Sequence, residues 1–209
     1  MSARRAAALA SLLVLAGCLG GNELVTATGS PASVQGEAVA EAGYERAGSA
    51  ELTVEQTLTV TLQADVEGRE SVDVNATVPV ERYRRTTADG PAVLAVASSP
   101  SVTVIENPPK SRDPLGERST AGLVTLLQST YEDPTDLSST SSRPVETLDR
   151  EAELVTYRGT AIRDGERVDV AVHVLTVEHE DNVVTAVAIH PAGVDERDRI
   201  AKLLAALDH

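Results

Sequence analysis

Aromatic side chains are almost absent from this chain, and this restricts how its core can be built. Of 209 residues, none is Trp or Phe and four are Tyr, whereas hydrophobic residues of all kinds make up 42%. That hydrophobic fraction is large enough for a buried core, so we expect a globular domain and not a disordered chain. The core must then consist mostly of Val, Leu and Ala, and Val favours β-strands.

The charge of the chain excludes nucleic acid as an expected partner and indicates a saline environment. The formal net charge is -14, with 32 acidic residues against 18 Lys and Arg. Such a surface repels phosphate backbones, and four Tyr are too few for a base-stacking platform. Only Lys110 and Lys202 are Lys. An acid excess with so little Lys predicts a halophilic protein whose self-repulsion is screened by salt; the alternative is an ordinary acidic surface.

Residues 1–17 predict a lipoprotein signal peptide. Arg4 and Arg5 precede an uncharged apolar run, 6–16, which is shorter than the roughly 20 residues that a membrane span needs. The run ends in LAGC, which resembles a lipobox, so we expect cleavage between Gly17 and Cys18 and lipid attachment to Cys18. The alternative is an uncleaved anchor with a coincidental Cys. As the only Cys, Cys18 also excludes a disulfide within the chain and a multi-Cys metal site.

The signal peptide predicts a location outside the cell and a simple domain organisation. Arg4 and Arg5 fit a twin-arginine signal, but every signal peptide begins with basic residues, so the twin-arginine and general secretory routes both stay open. Two acyl chains make a stable anchor, so we expect membrane lipid as a partner through Cys18 on the outer face of the cell membrane. Residues 18–33 then form the lipidated Cys and a flexible tether, and residues 34–209 a single domain.

Alternating apolar residues predict most of the domain as antiparallel hairpins. Strands are expected at 52–66, 72–80, 92–97, 102–105, 145–148, 154–162, 168–177 and 183–189. Turns are expected at 67–69, at the favoured pair Asp164-Gly165 and at 180–182, and a Ser/Thr-rich turn region at 132–142. Helices are expected after Ser33, over 120–131 and after Asp195. This pattern predicts an α+β fold: an antiparallel, meander-like sheet with flanking helices.

The four His residues, His173, His179, His190 and His209, do not predict a metal site. A hairpin centred on Asp181 places His173 opposite residue 189, which directs His173 and His190 to opposite faces of the sheet. Glu178, Glu180 and Asp181 lack the spacing of a calcium loop and are expected to be a solvated turn. No metal and no cofactor are therefore expected.

No catalytic motif is visible, so we do not expect an enzyme. The chain contains no G-x-S-x-G, S-x-x-K, H-E-x-x-H, P-loop or G-x-G-x-x-G pattern. Asn75 begins an N-glycosylation sequon, although it lies in a predicted strand, where the alternative is an ordinary solvent-facing Asn. The basic cluster 82–85 has two interpretations, a surface for lipid headgroups or an acidic partner, and a strand end that pairs with neighbouring carboxylates.

With these features in view, the chain resembles a family of haloarchaeal lipoproteins that is defined only as a domain of unknown function. The resemblance rests on LAGC at 15–18, SPASV at 30–34, EAGYE at 41–45, VLAVASSPSVTV at 93–104 and HVLTVEHEDNVVTAVAIHP at 173–191. It implies an archaeal lipoprotein and supplies no active site. More distantly, the closing hairpins and final helix are similar to the α/β/α sandwich of the PsbP and Mog1 families, which implies a binding or assembly module.

Three functional hypotheses follow from the sequence. The first is a membrane-anchored, non-enzymatic binding or assembly module. The alternative is an accessory protein that binds a small solute for a membrane-protein partner, which a concave pocket with convergent polar groups would favour. The third is an envelope hydrolase, which needs a close Ser/His/acid set that includes His173 or His190.

Overall fold

The computed structural model describes residues 23–63, 67–104 and 110–209, and within them the chain is mostly β-structure. The helices are α1 (Gly36–Glu41), α2 (Thr120–Leu127) and α3 (Arg197–Ala205). The strands are β1 (Glu23–Thr28), β2 (Ser33–Val34), β3 (Glu45–Gln63), β4 (Glu67–Thr87), β5 (Gly90–Pro100), β6 (Val102–Val104), β7 (Lys110–Arg112), β8 (Glu132–Thr147), β9 (Arg150–Arg163), β10 (Glu166–His179), β11 (Asn182–Pro191) and β12 (Leu207–Asp208). Arg4, Arg5, Gly17 and Cys18 lie outside the described residues.

One large mixed sheet of eight strands organises the domain. Its order is β1-β4-β5-β11-β10-β9-β8, and β3 pairs with the other edge of β4. Two antiparallel meanders, β3-β4-β5 and β8-β9-β10-β11, are joined by antiparallel pairing of β5 with β11. The sheet is mixed because β1 runs parallel to β4. The predicted turn at Asp164-Gly165 is confirmed, since Arg163 pairs with Glu166 across it.

The prediction of an α+β fold with flanking helices was wrong, and with it the α/β/α sandwich. The helices have 6, 8 and 9 residues, whereas β3 and β4 have 19 and 21. The strands extend well beyond the predicted apolar stretches, because backbone pairing continues through Thr-, Ser- and Arg-rich sequence whose side chains face solvent. Periodicity of apolar residues therefore found the strands but underestimated their length.

Strand β8 replaces the turn region that was predicted at 132–142. It is the edge strand beside β9, its register with β9 shifts three times, and Asp133 and Asp136 have φ angles of 44° and 56°. The close approach of this bulged strand requires Gly159 on β9, since a Cβ there would lie 2.5 Å from the carbonyl oxygen of Thr135. Bulges and polar side chains protect an exposed sheet edge from pairing with another chain. The same features hid the strand from a search for apolar alternation.

The sheet carries an apolar core on each face. Helix α2 packs on one face through Leu123, Val124 and Leu127. Helices α1 and α3 pack on the other face, where α3 buries Ile200, Leu203 and Leu204. All ten residues of β11 are buried, in keeping with its place between β5 and β10 in the middle of the sheet. Within the described residues, no helix is long and apolar enough to cross a membrane.

Hydrogen bonds at the two ends of helix α3 hold it in place on its face of the sheet. Its predicted N-cap, Asp195, is displaced by one position: Glu196 caps the helix, and the Asp195 side chain accepts from the Arg197 amide at 3.3 Å. Ser33, the predicted N-cap of α1, lies in β2 and pairs with Asp208 of β12. At the other end of α3, the Thr147 hydroxyl donates to the Leu204 carbonyl at 2.6 Å.

Candidate functional site

His173 of β10 and His190 of β11 lie together on the face of the sheet that α3 covers. Their rings stack with centroids 5.1 Å apart, and the two Nε2 atoms are 2.9 Å apart. Each residue is 1% exposed. His173 pairs with Ala188 and His190 with Ala171, so the two imidazoles are diagonal neighbours with small side chains beside them. Because the side chains of Ala171 and Ala188 are small, they leave space for the two imidazole rings to stack.

The prediction that these histidines point to opposite faces was wrong by one residue of register. The turn contains Glu180 and Asp181 only, so His179 pairs with Asn182 and His173 with residue 188. A turn centred on Asp181 would instead have put residue 189 opposite His173. Because side chains alternate along a strand, a shift of one residue moves every side chain to the other face.

Hydrogen bonds define the tautomers of the pair. The Nδ1 atom of His190 lies 2.9 Å from the Pro191 carbonyl, which can only accept, so His190 carries its proton on Nδ1. Its Nε2 is then an acceptor, and His173 must donate from Nε2. The Nδ1 of His173 accepts in turn from the Thr156 hydroxyl at 3.0 Å. With both rings neutral, every ring nitrogen of the pair has a hydrogen-bond partner.

Electrostatics also hold both rings neutral. Burial, followed by the charge that His190 would carry and by nearby guanidinium groups, lowers the pKa of His173 to about 3. Burial also lowers the pKa of His190, against the opposing effects of the Pro191 carbonyl and the Glu196 carboxylate. Desolvation disfavours the charged form of a base, so both histidines are held in the neutral form at neutral pH.

A polar cleft opens over the histidine pair. Its inner cavity, of about 100 Å³, is lined by both histidines, Arg158 of β9 and the segment 192–195 that leads to Arg197 of α3. An outer cavity, of about 290 Å³, shares Thr156, Asp195 and Arg197 with the first. Strand β8 adds Ser141, Ser142 and Arg143. We call the site formed by His173, His190, Arg143, Arg158 and Arg197 the His–Arg cleft.

Two of the three arginines are paired with exposed carboxylates. Arg143 contacts Asp198 at 3.1 Å, and Arg197 contacts Asp195 at 3.2 Å; these aspartate side chains are 91% and 73% exposed. Arg158 donates to the Ala192 carbonyl at 2.7 Å, and it has no ion pair within the part of the chain that the structure describes. Three guanidinium groups against two solvated carboxylates leave the cleft locally positive in an acidic protein.

The cleft does not have the arrangement of a hydrolase. The hydroxyl of Thr156 contacts His173 as the nucleophile of a catalytic triad contacts its histidine base. The position that a carboxylate occupies in such a triad is taken here by the neutral ring of His190. A neutral partner stabilises the imidazolium that forms in such chemistry less than a carboxylate does. A base whose pKa is about 3 also accepts little proton near neutral pH.

The other residues that the sequence singled out lie elsewhere. Asn75 sits in mid-strand on β4, half-exposed between Thr26 of β1 and Glu55 of β3, and its glycosylation stays a prediction. The basic cluster 82–85 is divided between the two faces: Arg82 donates to the Leu127 carbonyl at 2.5 Å, and Arg85 pairs with the buried Glu196. That pairing favours the structural interpretation of the cluster.

Sequence reasoning missed the arginines of the cleft. Arg143 was hidden because its strand, β8, was predicted partly as a turn. The face of the sheet on which Arg158 lies could have been predicted from the sequence. Arg158 follows Leu154 and Thr156 at a period of two on β9, so the three side chains share one face. Arg197 reaches the cleft because α3 begins beside the end of β11. This is a tertiary arrangement that no local sequence pattern predicts.

Comparison with known proteins places the chain in a family without supplying a function. Residues 31–208 match the family model described as Domain of unknown function (DUF6517). No curated protein matches the chain. The matched residues include every strand of the large sheet except β1, and with them the His–Arg cleft. The chain therefore belongs to the DUF6517 family, a family of unknown function.

Proposed function

We propose that this protein is a lipid-anchored, extracytoplasmic binding module that holds a small solute bearing an oxyanion in the His–Arg cleft and catalyses no reaction. The observation that carries the proposal is the cluster of Arg143, Arg158 and Arg197 around a buried neutral histidine pair. Guanidinium groups bind carboxylate and phosphate oxygens through paired, charge-assisted hydrogen bonds. The net charge of -14 would otherwise repel such a ligand.

The present partners of the arginines leave them available to a ligand. Exposed ion pairs such as Arg143–Asp198 and Arg197–Asp195 are screened by solvent and contribute little, so an incoming oxyanion replaces them at little cost. Arg158 gives up only a hydrogen bond to a carbonyl. The hydroxyls of Ser141 and Ser142 line the outer cavity and suit the polar body of a small solute.

Binding of a solute is favoured over assembly through an apolar surface. Among the residues whose side chains the structure describes (24–57, 73–102 and 112–209), Leu24 is the only exposed large hydrophobic one. Protein interfaces generally need a contiguous apolar patch, which a single leucine does not provide. The concave, polar cleft is therefore the better candidate for contact with a ligand.

The test of the cleft is a titration of the full-length protein with inorganic phosphate, sulfate and malonate in molar potassium chloride. Arg158→Gln should weaken binding of the preferred anion by about 10-fold to 100-fold, since it removes a hydrogen bond from a charged group. Calorimetry measures the affinity. Arg150→Gln is the matched control, because Arg150 is an exposed arginine at the opposite end of β9 and lines neither cavity. Equal affinities in the two variants, or no binding of any of the three anions, would contradict the proposal.

The anchor is tested separately by Cys18→Ser. The change should move the protein from the membrane fraction to the soluble fraction of cells that express it, because the serine hydroxyl cannot carry the thioether-linked lipid. Fractionation and immunoblotting measure the distribution, with the unchanged protein as reference. Retention of the variant on membranes would show that another segment holds the protein there.

A further inference from the structure

A second group of histidines lies at the other end of α3. The Nδ1 atoms of His179, the last residue of β10, and His209, which follows β12, are 3.0 Å apart. Glu180, the first residue of the β10–β11 turn, brings a carboxylate oxygen close enough that one atom from each of the three residues lies within 4.8 Å of the others. Two imidazoles and a carboxylate thus converge from segments that are about 30 residues apart in sequence.

Neighbouring groups orient these side chains. The Nε2 of His209 lies 3.0 Å from the hydroxyl of Ser98 on β5, and the backbone of Ser30 also hydrogen-bonds the ring. When Nε2–H donates to Ser98, the lone pair of Nδ1 faces His179. This is the usual support of a metal-binding histidine, whose second nitrogen donates to a neighbouring oxygen and fixes the tautomer. The two rings meet edge to face, with centroids 5.1 Å apart.

The distances suit a small tetrahedral cation. Two nitrogens bound to Zn²⁺ at about 2.0–2.1 Å stand about 3.3 Å apart in a tetrahedron, so the rings need to separate by only a few tenths of an ångström. Glu180 is exposed, and its side chain is free to swing toward the two nitrogens. Imidazole nitrogens select Zn²⁺ and its neighbours in the transition series over Mg²⁺ or Ca²⁺, which prefer oxygen.

We propose that His179, Glu180 and His209 form a binding site for a divalent transition metal of the Zn²⁺ type. A bound ion would connect the β10–β11 turn to the segment after α3, and so hold that end of the helix against the sheet. The sequence predicted this turn as merely solvated, because nothing in the spacing of the residues brings His209 to it. The site is independent of the oxyanion proposal, which concerns the opposite end of α3.

The test is a titration of the untagged full-length protein with Zn²⁺ after removal of metals by a chelator. A site of this kind should raise Tm by about 5–10 °C when the free ion is at 100 times its dissociation constant. Bound Co²⁺ should show the intense visible absorption of a tetrahedral site with nitrogen ligands. His209→Ala should weaken Zn²⁺ affinity by more than about 100-fold and Ser98→Ala by about 10-fold to 100-fold.

Two further variants make the result decisive. Glu180→Gln changes an exposed residue and should fold as before, yet it should weaken binding because the carboxylate is lost. Asp181→Asn is the matched control, since it removes the adjacent negative charge without removing a proposed ligand, and its affinity should equal that of the unchanged protein. The proposal is overturned if His209→Ala binds Zn²⁺ as tightly as the unchanged protein, or if Co²⁺ shows only the weak spectrum of an octahedral ion.

Discussion

Replacing Arg85 with Met should lower the free energy of unfolding by about 3–5 kcal/mol, because it leaves the buried carboxylate of Glu196 without its main partner. Glu196 is completely buried at the start of α3 and accepts from the guanidinium of Arg85 on β4. It also accepts from the Tyr44 hydroxyl at 3.0 Å, and Arg199 lies 3.8 Å away. A loss of that size is a large part of the total stability of a domain.

Tyr44 is a second hydrogen-bond partner of the buried Glu196 side chain. Burial first, and then the negative charge of Glu196, raise the pKa of Tyr44 above its ordinary value of 10.0. The tyrosine is therefore a permanent hydrogen-bond donor to the carboxylate. A hydroxyl cannot neutralise the charge, so the guanidinium of Arg85 is the main group that compensates the buried carboxylate.

Denaturant unfolding in molar salt measures the effect of Arg85→Met, with two comparisons. Arg84→Met changes the adjacent exposed arginine and should cost less than about 0.5 kcal/mol. The double variant Arg85→Met, Glu196→Gln removes both charges and should be more stable than Arg85→Met alone, since no buried charge is left uncompensated. If Arg85→Met is no less stable than Arg84→Met, the buried ion pair does not have the role assigned to it.

Acidification from pH 7.5 to pH 5 should lower the free energy of unfolding by about 2 kcal/mol through His173 alone. In the unfolded chain His173 has its ordinary pKa of 6.5, whereas in the folded protein its pKa is about 3. Below pH 6.5 the unfolded state therefore binds a proton that the folded state excludes. This stabilisation is fully present above pH 6.5 and is lost progressively until the folded pKa is reached. His190, whose folded pKa is also lowered, adds to the loss.

Burial determines the sign of this effect, and the charged groups that face His173 reinforce it. The guanidinium groups of Arg143, Arg158 and Arg197 oppose protonation, as does His190. The carboxylates that face His190, Glu196 and Asp195, act in the other direction but do not outweigh burial. Since the arginines keep their charge throughout the range, the pH dependence near pH 6 comes from protonation of the histidines in the unfolded chain.

Unfolding curves of the unchanged protein and of His173→Gln at pH 7.5 and pH 5 isolate the contribution of His173. The variant has lost the group that titrates, so its stability should fall by about 2 kcal/mol less over the same interval. Any general cost of the substitution cancels, because each protein is compared with itself. Equal losses in the two proteins would mean that His173 is not held neutral by the fold.

The strands of the sheet could be predicted from sequence, but the relative positions of their side chains could not. Alternating Val and Ala placed strands over parts of β9, β10 and β11, and the Asp164-Gly165 turn was found because that pair favours a two-residue hairpin. At the next turn the sequence Glu180-Asp181-Asn182 did not show which two residues form it. The error of one residue there separated His173 from His190 and hid the site.

The rest of the site depends on features that a search for apolar periodicity does not detect. Strand β8, which carries Ser141, Ser142 and Arg143, is polar and bulged, so nothing in its sequence marks a buried face. The helices were overestimated because Ser33 has the chemistry of an N-cap but is used in the short pairing of β2 with β12. The His–Arg cleft and the His179–Glu180–His209 group lie at opposite ends of α3. The placement of that helix follows from packing between residues that are distant in sequence.

The imidazole ¹⁵N NMR spectrum of the full-length protein at pH 7 in molar salt, recorded before and after addition of the preferred anion, tests the His–Arg cleft most directly. We predict that His173 is neutral with its proton on Nε2, that His190 is neutral with its proton on Nδ1, and that the anion shifts the signals of both rings. An imidazolium at either position, the reverse pair of tautomers, or signals that the anion leaves unmoved would contradict the cleft as it is described here.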